Sequence, residues 1–115
     1  PPLGQQYLAQ GLIAEAEQQF HSALTADPNN AAAHAGIAQV RERSGSAGDA
    51  RAEADTSLKL APNVDAYLVL ARLDLQANQL AASAADVAAA LKLEPANGAA
   101  LSMKSALQAR DQSLP

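Results

Sequence analysis

The stretch Gly11 to Asn30, GLIAEAEQQFHSALTADPNN, sets the pattern for the whole chain. It opens on a glycine and runs through Ala16, Phe20, Ala23 and Leu24 at helical spacing. It closes on Asp27-Pro28-Asn29-Asn30. The construction returns 34 residues later, from Gly45 through Ala50 and Leu58 to Pro62, and again 33 residues on, from Asn78 through Ser83 and Leu91 to Pro95. Self-similarity at this period marks a stacked helical array and outranks any local secondary-structure assignment.

Working outward, each unit reads as two helices. Leu3 to Gln10 carries Leu3, Gly4, Tyr7 and Leu8 on neighbouring turns, and Gly11 ends it, as glycine does just past a helix C-terminus. Leu12 to Ala26 presents Ile13, Ala16, Phe20, Ala23 and Leu24 on its inward face. The proline that follows cannot continue a helix, and Asn30 is suited to cap the next one. Helices are expected over Ala31 to Ser44, Asp49 to Leu60, Asp65 to Ala77 and Leu80 to Leu93, with a closing helix from Gly98 to about Arg110 carrying Leu101, Met103 and Leu107. Gly45-Ser46-Ala47-Gly48 reads as the loosest turn. Ala54 stands where Phe20 stands one unit earlier, so a thinner core is expected there. Gln112 to Pro115 reads as a frayed end.

Composition agrees with packed helices and removes several functions. Roughly a quarter of the 115 residues are alanine, the best helix former, and no stretch alternates like a strand. The net charge is −4, and the three lysines, Lys59, Lys92 and Lys104, form no basic patch of the kind nucleic acid requires. No run of about 18 apolar residues argues for membrane insertion. The absence of cysteine removes disulfides and thiolate chemistry and decides nothing between cytoplasm and periplasm. The chain begins Pro-Pro, which reads as a piece cut from a longer, Ala-rich and Lys-poor bacterial protein.

The chain resembles the tetratricopeptide repeat. Leu3-Gly4, Tyr7, Gly11, Ala16, Phe20, Ala23-Leu24 and Pro28 sit at that family's spacing. Ile37-Ala38, Gly45, Ala50, Ser57-Leu58 and Pro62 follow, then Leu70-Ala71, Asn78, Ser83, Ala90-Leu91 and Pro95. The resemblance implies an all-α, right-handed superhelix of three helix pairs and a capping helix. It would form a single domain over 1–115, with repeats at about 1–30, 31–63 and 64–97 and the cap at 98–111. Gly4, Ala38 and Ala71 would face Ala16, Ala50 and Ser83 where paired helices cross, and Leu24, Leu58 and Leu91 would fill the seams between repeats. Where Tyr7 packs, the later repeats carry Arg41 and Asp74.

The resemblance further implies a protein-interaction module that holds a partner segment against the concave wall of its first helices. The candidate residues there are Gln5, Leu8, Gln39, Glu42, Leu68, Arg72, Leu75 and Gln76. Some members clamp a C-terminal carboxylate with Lys, Asn and Arg. Here Pro1, Gln5, Gly36, Asp65 and Val69 occupy those places, which argues against such a clamp. Arg72 is the one cation in the Gln5–Gln39–Arg72 stripe, so a short extended segment with an acidic residue near it is the expected ligand. The same three residues also suit an ordinary solvated helix surface. A structural spacer that self-associates weakly end to end is the alternative.

No cofactor, metal or catalytic residue is expected. His21 and His34 lie on different helices without a partner at ligand spacing. Ser22, Ser57 and Ser105 have no base at motif distance. Asp49, Glu53 and Asp55 sit where a helix dipole favours acid.

Overall fold

A computed structural model describes residues 3–111. The fraying expected of Gln112 to Pro115 and the clamp position at Pro1 lie outside the described residues. Seven helices follow in order: α1 Leu3–Ala9, α2 Ile13–Ala26, α3 Ala31–Arg43, α4 Ala47–Leu60, α5 Val64–Gln76, α6 Leu80–Leu93 and α7 Gly98–Arg110. None is long and apolar enough to cross a membrane.

Turn chemistry sets these boundaries. Gly11 and Gly45 adopt φ of +77° and +81°, and Asn78 follows at +59°, the left-handed conformation that Gly and then Asn tolerate best. The Asn side chains at 30, 63 and 97 accept from the backbone N–H of Ala33, Ala66 and Ala100 at 2.9–3.0 Å, capping α3, α5 and α7. Three expected starts are corrected, the first being α2, which begins at Ile13 and not at Leu12. α4 begins at Ala47, with Gly48 inside its first turn, and the Asn63 cap starts α5 at Val64. The loop before α4 is therefore no looser than the others.

Each first helix packs against its own second helix and against the next first helix, so α1, α3, α5 and α7 form one wall and α2, α4 and α6 the other. Small residues make the crossings possible: Ala16, Ala50 and Ser83 are fully buried. Ser83 Oγ donates to the Ala71 carbonyl at 2.7 Å, and Ser57 Oγ donates to that of Ala31 at 2.6 Å, so buried hydroxyls are satisfied by backbone. Leu24, Leu58 and Leu91 pack on the seams. On α7, Leu101 is 44% exposed while Leu107 is buried.

Core volume moves between the walls along the chain. The Phe20 ring lies between Gly4 and Gly36, where an added Cβ would sit 2.5 Å and 2.3 Å from its atoms. One unit on, Ala54 is fully buried among Ala38, Val69, Leu70 and Leu73. The thin core expected at Ala54 is thus filled from α5.

Polar side chains tie the units together as well. Glu17 of α2 holds Arg41 of α3 through two contacts of 3.2 Å. At the equivalent place, Arg51 of α4 donates to Asp74 of α5 at 2.7 Å, with the charges exchanged. His34 of α3 has Nδ1 2.9 Å from Glu53 and Nε2 2.9 Å from the Pro28 carbonyl. Burial opposes charge on this ring, but the Glu53 and Pro28 hydrogen bonds outweigh it and raise its pKa. Glu53 is therefore a tether between helices, beyond any favour from the dipole.

Candidate functional site: the wall of first helices

The repeat offset places residue i of one first helix beside residues about one repeat away on the next. Gln5, Gln39 and Arg72 consequently fall in register across α1, α3 and α5. Gln5 Nε2 donates to Gln39 Oε1 at 2.8 Å. This bond uses neither the Gln5 carbonyl nor the Gln39 amino group, which remain as one acceptor and one donor set. Both side chains are half-buried.

Arg72 is not a free cation. Its Nε and Nη2 donate to the two carboxylate oxygens of Glu42 at 2.6 and 2.8 Å, a bidentate pair joining α5 to α3. The Glu42 side chain is 12% exposed and that of Arg72 36%. An incoming carboxylate would have to displace Glu42, so the acidic-ligand expectation loses its anchor.

The apolar candidates divide. Leu8 and Leu68 are buried, the first beside Phe20, Ile37 and Val40, the second beside Val64, Ala90 and Ala100. They are core residues behind the wall. Leu75 is half-buried and packs toward the cluster of Ala71, Val87 and Leu107, while Gln76 is exposed at the end of α5. At the clamp positions, Gly36 receives the Phe20 ring and Val69 is fully buried.

Sequence reasoning gave little weight to Asp65. It stands at the second position of α5 and helps line an open cavity of about 300 Å³ with Leu3, Gly4, Gln5, Phe20 and Ala33. Burial pushes its carboxyl pKa up, and the charge of Glu94 adds to the shift while Arg72 opposes it. The available signal was an acid at one of the five places that match the clamp of some family members. A larger groove of about 610 Å³ runs between α6 and α7, floored by Leu80, Val87, Leu91 and Leu107 and flanked by Lys92 and Lys104. Among the described residues, no three acids or histidines gather as a metal site would require.

Comparison with known proteins agrees with this architecture. The sequence profile of the tetratricopeptide repeat matches residues 7–73. By structure the chain is similar to the TPR domain of Arabidopsis OM64, with a TM-score of 0.79, 21% identity, and coverage of 93% of this chain and 89% of that one. The first TPR of Spaghetti (RPAP3), bound to the HSP90 peptide SRMEEVD, follows at 0.77, 23% identity, and coverage of 96% and 89%. The first TPR domain of human RPAP3 gives 0.73, 23%, 96% and 91%. At these identities the likeness carries the fold alone. No curated protein matches the sequence. With the profile covering more than half of its length, the chain belongs to the tetratricopeptide repeat family.

Proposed function

We propose that the chain is a non-catalytic interaction module that holds an extended peptide or protein segment against the wall of α1, α3 and α5. The observation that carries this reading is the Gln5–Gln39 amide pair in the middle of that wall. Together the two amides offer a carbonyl and an amino group, the complements of a peptide backbone's N–H and C=O. Such pairing reads main chain with little sequence preference. Gln76 extends the polar surface along α5, and the Glu42–Arg72 pair holds α3 and α5 in register. The peptide held by the Spaghetti domain is support by family likeness.

The test is a heteronuclear NMR titration of the uniformly labelled protein with degenerate heptapeptide pools. Saturable shifts should cluster at Gln5, Gln39, Glu42 and Arg72, and Gln39→Ala should weaken them. Shifts confined to α6 and α7 would overturn the reading.

A second reading, weak end-to-end self-association of a spacer, is favoured by one observation. The α6–α7 groove is apolar and open, and Leu93 and Leu101 nearby are 46% and 44% exposed. A dilution series by light scattering separates the two, because only the spacer changes mass with concentration.

A further inference from the structure

We propose that the wall anchors its segment through a basic side chain, a lysine or arginine that inserts beside Phe20 and pairs with Asp65. This rests on the interaction reading above and names the chemistry of its anchor. It reverses the charge expected from Arg72.

Three observations converge. First, Asp65 has no hydrogen-bond or ion-pair partner among the described residues. The cap of α5 is already supplied by Asn63, which accepts from Ala66 N, so the Asp65 carboxylate is not needed there. It is nevertheless drawn partly out of water, and Glu94 adds a second negative charge to its surroundings. A carboxylate in that condition carries a desolvation cost that only a cation or donor can offset.

Second, the cavity beside it has the lining that a long basic side chain needs. Leu3, Gly4, Phe20 and Ala33 give apolar walls for a methylene stem, and Asp65 receives the charged head. Lys and Arg bury their stems along apolar surface in this way while the head stays near water. The cavity measures about 300 Å³, and Gly4 leaves room beside it for the Phe20 ring, which an added Cβ would meet at 2.5 Å.

Third, the cation whose charge reaches Asp65 is spent. Arg72 is held by both oxygens of Glu42, and Lys92 and Lys104 flank the other groove. An acidic side chain entering at Asp65 therefore meets the charges of Asp65 and Glu94, and the one cation acting on that carboxyl among the described residues is already paired with Glu42. A basic one meets an unpaired acceptor, and a charge-assisted bond forms at low cost in rearrangement.

The experiment uses three probes: heptapeptide pools fixed as lysine or as glutamate at the centre with the other positions random, and the peptide SRMEEVD. Binding is read by amide shifts and by fluorescence anisotropy at low and high salt. The lysine pool should shift resonances around Gln5, Phe20, Ala33 and Asp65 saturably, and added salt should weaken it. Asp65→Asn should lower its affinity roughly tenfold, the loss of one charge-assisted hydrogen bond, with circular dichroism unchanged. Asp65→Glu should restore part of the affinity. If the lysine pool shifts Gln5 and Gln39 but ignores Asp65→Asn, the basic anchor is wrong and the interaction reading stands. Tighter binding of SRMEEVD or the glutamate pool also overturns the anchor. If no probe shifts this wall, both readings fall.

Discussion

The seam around Phe20 and the seam around Ala54 solve one packing problem with the volume placed on opposite sides. At the first, a large ring from α2 is received by Gly4 on its own first helix and Gly36 on the next. At the second, Ala54 of α4 faces Ala38 and Val69 at the corresponding places, with Leu70 and Leu73 completing the cluster. A third seam lies between: Val87 of α6 packs with Ala71, and Met103 of α7 stands where Gly36 and Val69 stand earlier. Between the first two seams the sum is roughly preserved while its distribution changes, as close packing demands of a core that keeps its backbone spacing. A single residue's size therefore says little about the local core until its two facing residues are read with it.

The largest expected effect breaks the first seam. Phe20→Ala should cost about 3–5 kcal/mol, because two glycines opposite leave nothing to collapse into the void. Chemical denaturation should show it as a lower midpoint at unchanged slope. A loss below about 1 kcal/mol would mean that the ring is not the keystone of this seam.

Next comes overpacking at the same place. Gly36→Ala puts a Cβ 2.3 Å from the ring and should destabilise by about 1–3 kcal/mol. In the Phe20→Ala background the added methyl enters empty space, so the same change should become neutral or stabilising. That reversal of sign in a double-mutant cycle is the sharpest check on volume exchange. Additive costs would refute it.

The turns should not share the difference between seams. Gly11 and Gly45 both have positive φ, and no atom stands within 4 Å of an added Cβ at either. A branched side chain there meets only backbone strain, about 1–2 kcal/mol. Gly11→Val and Gly45→Val should thus lower thermal stability equally, and Ser46→Val should do little. A marked inequality would show that the contrast reaches the loops.

Much of this was legible in the sequence, because turns and crossings depend on residue types at fixed offsets. Gly11, Gly45 and Asn78, the Asn caps, and Ala16, Ala50 and Ser83 all lie where the period put them. What stayed hidden depends on contacts the period does not encode. Gly4 was legible as a crossing residue against Ala16, yet its steric partner is Phe20. The site was less visible than the fold. Glu42 and Arg72 are 30 residues apart, and their pairing needs the relative rotation of α3 and α5. A small rotation about a helix axis likewise decides whether Leu8 and Leu68 face groove or core. Asp65 was in view among the five clamp places; its lack of a partner among the described residues was not.

The smallest effect belongs to the second seam alone, where a titration has no counterpart at Phe20. Asp74 of α5 accepts from Arg51 and lies against Asp86 of α6, one of whose oxygens is buried without a partner. Burial first, and then the hydrogen bond and charge of Asp74, push Asp86 up to about 7; Asp55 adds to this and Arg51 opposes it. Burial alone would raise Asp74 too, but hydrogen bonds from Asp86 and Arg51 hold it below its ordinary value. The two carboxyls thus share a proton that sits on Asp86. The folded state keeps that proton where an unfolded aspartate has lost it. Its stabilising contribution is complete below the unfolded carboxyl pKa and disappears as pH rises through about 7. Asp74 acts oppositely, but only as pH falls through its depressed value, outside that window. His34, also raised, loses its contribution in the same direction as Asp86. Asp86→Asn separates them, because an amide keeps the donor to Asp74 and cannot ionise. Melting curves of the variant and the parent should coincide near a pH of about 3 and diverge progressively as pH rises to about 7, with the variant the more stable. Parallel curves across that range would mean that Asp86 ionises freely and the second seam is no more pH-sensitive than the first.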